Sequence, residues 1–141
     1  MRIVYGICSN FFGEYACFID PKFVVDLSTV DFAVKKALKN WNIGKRISKS
    51  LAVEILLYFS ATRQIETAKK LTARDRAVTV VIDEQEFSKI DFRELKFVPE
   101  YDLRAVMELY EISEEEIKIV GEEKLPLLVK ERIALFSLLG D

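Results

Sequence analysis

The chain has 141 residues, half of them hydrophobic and about a third charged, with 21 Lys/Arg against 23 Asp/Glu and no histidine. That balance fits one soluble domain over 1–141 with its own core, and no apolar run reaches the ~18 residues needed to cross a bilayer. Lack of histidine removes the commonest general base and metal ligand, and glycines only at 6, 13, 44, 121 and 140 exclude the G-x-G-x-x-G and G-x-x-x-x-G-K phosphate loops.

Residues 1–8 and 15–19 alternate as strands, and Asn10-Phe11-Phe12-Gly13-Glu14 between them predicts a hairpin. The first strand has no cleavage site of the secretory kind, which places the chain in the cytoplasm. Cys8 and Cys17 would then face each other across the hairpin, as reduced core thiols in that compartment. Asp20-Pro21 ends the second strand. A short extended piece, Phe23-Val24-Val25, precedes a helix capped by Ser28 or Thr29, whose apolar stripe runs Val30, Ala33, Val34, Ala37, Leu38, Trp41. Asn42-Ile43-Gly44 closes it, and the basic segment Lys45-Arg46-Ile47-Ser48-Lys49 follows.

The next helix, 50–59, is apolar over most of its circumference, so it is either central to the core or covered by a partner. After a break capped by Ser60 or Thr62, a helix opens with Arg63-Gln64-Ile65 and runs to Leu71. Val78 to Asp83 is the strongest strand, Phe87 to Ile90 a loop or turn, and Glu94 to Val98 a further strand stopped by Pro99. Helix 101–110 follows, then a short helix opened by the capping-box spacing of Ser113 and Glu116 and broken at Gly121. The last helix, 125–139, carries Pro126 in its first turn; Leu127, Leu128, Ile133 to Phe136, Leu138 and Leu139 cover more than one face. These elements compose an α+β domain, a mostly antiparallel sheet with helices against it.

Charge is divided along the chain. Residues 35–76 hold eleven Lys/Arg and three Asp/Glu, and the remainder holds ten basic and twenty acidic residues. Such a basic stretch fits an anionic partner, nucleic acid first, or the solvated faces of helices. Arg63 and Gln64 at a helix start could meet a phosphate and a base edge; alternatively Arg63 pairs with Glu66. Lys69, Lys70, Arg74 and Arg76 extend the run. The aspartates at 20, 26, 31, 83 and 91 fall where turns and caps would use them, which disfavours an enzyme.

Ser50-Leu-Ala-Val-Glu-Ile-Leu-Leu-Tyr-Phe-Ser-Ala-Thr-Arg-Gln-Ile65, followed by Leu127-Leu-Val-Lys-Glu-Arg-Ile-Ala-Leu135, resembles the small kinase-binding subunit of the KEOPS complex, whose animal relative is the PRPK-binding protein. The likeness runs over nearly the whole chain, and the size is that of archaeal members. Family members often carry a Gly-containing turn after the Arg-Gln-Ile helix, where this chain has Leu71-Thr-Ala-Arg-Asp-Arg76.

The resemblance implies a non-catalytic subunit without cofactor or metal. It would dock on and stimulate the complex's atypical kinase/ATPase, and meet the transferase and dimerisation subunits through the assembly. It would also recruit tRNA by its 3′ CCA end for threonylcarbamoyladenosine modification. Carried over by position, kinase contact falls to Leu57, Ile65, Pro126 and Val129, and tRNA contact to Arg63, Gln64, Lys69, Lys70 and Arg74. Two other readings stand beside it. One is a small enzyme or ligand-binding domain with an apolar pocket between helices, using Glu54 or Asp83; the other is a protein adaptor whose basic run only meets water.

Overall fold

The computed structural model describes residues 1–11 and 13–139; Phe12 of the expected turn and the side chain of Leu139 lie outside the described residues. Four strands, β1 (Arg2–Cys8), β2 (Ala16–Ile19), β3 (Arg76–Val81) and β4 (Phe92–Glu94), form an antiparallel sheet in the order β2-β3-β1-β4. The β-branched β3 is buried from Ala77 to Val81, so it needs a neighbour on each edge. It pairs with β1 from Arg2↔Val81 to Ile7↔Arg76 and with β2 from Ala16↔Val81 to Ile19↔Val78.

The expected hairpin of β1 and β2 is therefore not formed, because β3 lies between them. Both are antiparallel to β3 and so parallel to each other, and the link between them runs back along the sheet. Phe11 and Tyr15 of that link pack against Phe18 in a small cluster on one sheet face. Cys8 belongs to this cluster and Cys17 to the large core on the other face, so the two thiols do not meet. Burial raises the pKa of each.

Helix α1 (Leu27–Asn42) begins two or three residues earlier than expected. The Asp26 carboxylate, rather than Ser28 or Thr29, caps it by accepting from the Thr29 amide at 3.1 Å. Ahead of it Pro21–Phe23 forms a 3-10 turn, which takes Phe23 from the expected extended piece and leaves Val24 extended. Helix α2 (Leu51–Ser60) is central: it packs on β2, α1, α3 (Ile65–Lys69) and α7 (Leu125–Leu139), which answers its all-round apolar surface. Ile55, Leu57, Tyr58 and Phe59 are sealed there, each such side chain stabilising by about 1.5–3 kcal/mol.

α3 stops at Lys69, short of Leu71, because the chain turns to extended pairing. The Asp20 amide donates to Leu71 O at 2.7 Å and the Ala73 amide to Phe18 O at 3.3 Å. That pairing occupies the place of the family's glycine turn. Asp83 caps a short helix α4 (Glu84–Phe87) that was not expected from the sequence, its carboxylate accepting from the Gln85 amide at 3.0 Å; of the expected loop or turn at Phe87 to Ile90, only Phe87 is helical. β4 lies two residues before its expected start. Pairing with β1 ends as the Leu95 amide donates to Tyr5 O, and Phe97 turns edge-on to the Tyr5 ring at 5.4 Å.

Helix α5 (Leu103–Tyr110) and helix α6 (Glu114–Val120), opened by a complete Ser113/Glu116 capping box, lead to α7. The architecture is α+β. Among the described residues no helix is long and apolar enough to cross a membrane.

Candidate docking surfaces

Helix α7 is apolar on two sides, and only one is used inside. Leu125, Val129 and Ile133 are fully buried, whereas Leu127, Leu135 and Leu138 are 61%, 50% and 74% exposed. Spacings of eight and three residues put these leucines on one solvent-facing stripe. Arg63, Leu135 and Phe136, with Ala61, Leu109 and Glu111, line a concavity of about 260 Å3 where the α2–α3 junction meets α7. Ile65, 40% exposed, stands two residues beyond Arg63.

Four positions carried kinase contact in the sequence, and the structure divides them. Ile65 and Pro126 reach the surface; Leu57 and Val129 are wholly enclosed by the chain's own core. The latter two shape the face from beneath and cannot touch a partner, which corrects their assignment. On the same helix Leu127, Leu135 and Leu138 are the large apolar side chains left exposed.

One arginine fixes the position of α7. The Arg132 guanidinium donates to Tyr110 O at 3.1 Å and Glu111 O at 3.3 Å, and to both oxygens of Glu116 at 2.9 and 3.0 Å. It thereby fastens the α5–α6 corner, where Glu111 is left-handed at φ 54°, to the last helix. The Ser113 backbone amide, then Arg132, hold the Glu116 carboxyl below its ordinary range. Beneath, the buried Tyr110 hydroxyl donates to Phe59 O, and burial pushes that phenol well up.

The basic residues are dispersed over three concavities. Arg63 lies beside Leu135, as above. Lys69 lines a slot of about 490 Å3 with Phe11, Ser50, Ala52, Val53 and Leu56, Glu14 being the carboxylate on its lining. Arg74 sits in a cleft of about 340 Å3 with Asp20, Asp75 and Glu100. Among the described residues Arg63, Lys69, Lys70 and Arg74 make no ion pair, and the alternative pairing of Arg63 with Glu66 is not formed. Arg76 does pair with Glu100, and Lys35 with Asp31, so part of the run is balanced at the surface.

Gln64 is less available than its sequence position implies. Its Oε1 accepts from Thr67 Oγ1 at 3.2 Å, and five-residue α3 aligns too few peptide dipoles for the expected pull on a phosphate.

The carboxylates of the enzyme reading serve the fold. Glu54 is fully buried and accepts from the Ile47 amide at 2.9 Å, the Ser48 amide at 2.8 Å and Ser48 Oγ at 2.9 Å. Asp83 caps α4. Neither lines the groove of about 610 Å3 between α5 and α6, whose walls are Leu103, Met107, Ile112 and Ile117 with Arg104, Glu108, Glu114 and Lys118. Among the described residues no group of three or more Cys, Asp or Glu is placed to hold a metal ion.

An α+β chain that leaves a leucine row uncovered beside the unpaired Arg63 has the surface features of a docking protein. More particularly, it belongs to a family of kinase-binding proteins: the family model described as Kinase binding protein CGI-121 matches residues 7–137. No curated protein matches the sequence.

Proposed function

We propose that this chain is the regulatory, non-catalytic subunit of a KEOPS-type complex. It binds and stimulates the atypical kinase/ATPase, joins the transferase and dimerisation subunits through it, and recruits tRNA by the 3′ CCA end for threonylcarbamoyladenosine modification. Family membership supports the kinase partner. The observation that carries the docking surface is the exposed row Leu127, Leu135 and Leu138 on α7, reaching the Arg63 concavity next to Ile65.

Such a row has a physical consequence. Leucines half exposed or more on one rigid helix gain by leaving water, and a helix already fastened by Arg132 loses little freedom on binding. Pro126 opens the same helix about 14 Å along its axis from Leu135, so the face is long enough for a partner helix or sheet edge. Ile65→Glu combined with Leu135→Glu is expected to leave a folded chain that no longer co-purifies with the kinase, each centre costing on the order of 2–4 kcal/mol. Undiminished co-purification would remove this face from the interface.

RNA recruitment rests on the slot lined by Lys69. An apolar floor, an aromatic ring at Phe11 and a cation at the rim suit an unstacked base and its phosphate. Affinity is expected to fall steeply with salt and to drop when CCA is clipped from tRNA. Equal binding of clipped and intact tRNA would defeat tail recognition.

A further inference from the structure

Outside the slot, the α1–α2 connection carries a second cationic feature that none of the assignments above uses. Arg46 lies over the Trp41 ring, its guanidinium carbon 4.0 Å from the ring centroid, and its Nε donates to Trp41 O at 3.2 Å. Its two terminal nitrogens have no partner among the described residues, and neither do Lys39 and Lys49. Ile43 in the same loop is 64% exposed. The loop is held rigid from below: buried Glu54 spends its carboxylate on the amides of Ile47 and Ser48, and Gly44 at φ 84° makes the turn.

We propose that this loop, with Arg46 stacked on Trp41 and flanked by Lys39 and Lys49, is a second nucleic-acid contact that grips the phosphodiester backbone of the folded part of an RNA. The proposal rests on the RNA reading of the Lys69 slot and extends it. Three observations carry it. First, a guanidinium fixed by stacking and one backbone bond has already lost its rotamer freedom, so its free N–H edge meets a phosphate at small entropic cost. Second, Lys49 directly precedes Ser50, which lines the slot, so the chain runs from the loop straight into the slot wall. Third, the buried Glu54 anchor has no other partner among the described residues, so its desolvation is offset by holding this loop in shape. A backbone contact of this kind reads no sequence; it sets how the body of the RNA lies while the slot takes the tail.

The test uses the full chain, a folded tRNA transcript and a short single-stranded oligonucleotide ending in CCA. Arg46→Ala combined with Lys49→Ala is expected to weaken transcript binding roughly tenfold and to flatten the slope of log K against log salt by about 1–2. Oligonucleotide affinity should stay unchanged, which also reports that the slot is intact. Trp41→Leu, which keeps every charge, is expected to weaken transcript binding by a smaller factor. Unaltered transcript affinity and salt slope in the double variant would overturn the proposal. Equal loss for transcript and oligonucleotide would overturn it too, since the loop would then serve only the slot. If the unmodified chain bound neither RNA, the underlying RNA reading would fall as well, an outcome separate from the other two.

Discussion

Glu54 shows how far a single side chain can depart from its sequence context. It sits on an apolar helix at a position that reads as surface or as a stray acid, yet it is sealed and fully bonded to the loop before it. Glu54→Ala is expected to destabilise the fold by about 3 kcal/mol, since buried donors lose their acceptor, and urea titration would measure it. Glu116 has a different setting, half-buried and bonded to the Ser113 amide and Arg132. Its folded-state pKa is lowered, so its contribution is present above the ordinary glutamate range and is lost as pH falls through the depressed value. Glu116→Gln is therefore expected to be less stable than the parent near neutrality, with the difference fading towards acid pH in thermal melts. Both Ser113/Glu116 and Pro126 were legible, because capping depends on neighbours a few residues apart. The cap at Asp26 was misplaced by two or three residues because Asp26, Ser28 and Thr29 can all cap.

At the scale of elements, α2 and α7 look alike in sequence and differ in the structure. α2 is buried from Glu54 to Ser60, while α7 keeps a leucine row in water. Leu57→Ala should cost about 2–5 kcal/mol by leaving a cavity, whereas Leu138→Ala should change stability by no more than about 0.5 kcal/mol. Comparable losses at the two positions in chemical denaturation would contradict this placement. Periodicity could not foretell which leucines are sealed, because a helix apolar all round has no polar face to fix its rotation. Leu57 and Val129 stood among the contact residues because the resemblance carried them over by position, which does not fix how a helix is rotated in the core. The strand order was hidden for a different reason. A hairpin of residues 1–8 and 15–19 is the local solution, and only β3, some sixty residues later, has the two buried faces that displace it.

For the whole molecule, the acidic α5–α6 corner is tied inward by Arg132, the leucine row of α7 faces water, and the cations are spread over the α1–α2 loop, the Lys69 slot, the Arg74 cleft and the Arg63 concavity. The α+β class, the docking character and the basic stretch were readable from composition and order alone; the separation of surfaces was not, since Arg63 adjoins Lys69 in sequence and lies apart from it beside Leu135. The account holds that one rigid chain presents two separate surfaces, one for a kinase and one for RNA. Titrating purified kinase and a labelled tRNA against two variants tests it: Ile65→Glu with Leu135→Glu, and Lys69→Glu with Lys70→Glu. The account predicts that the first binds RNA but not the kinase and that the second binds the kinase but not RNA. Loss of both partners in either folded variant, or of neither in both, would contradict it.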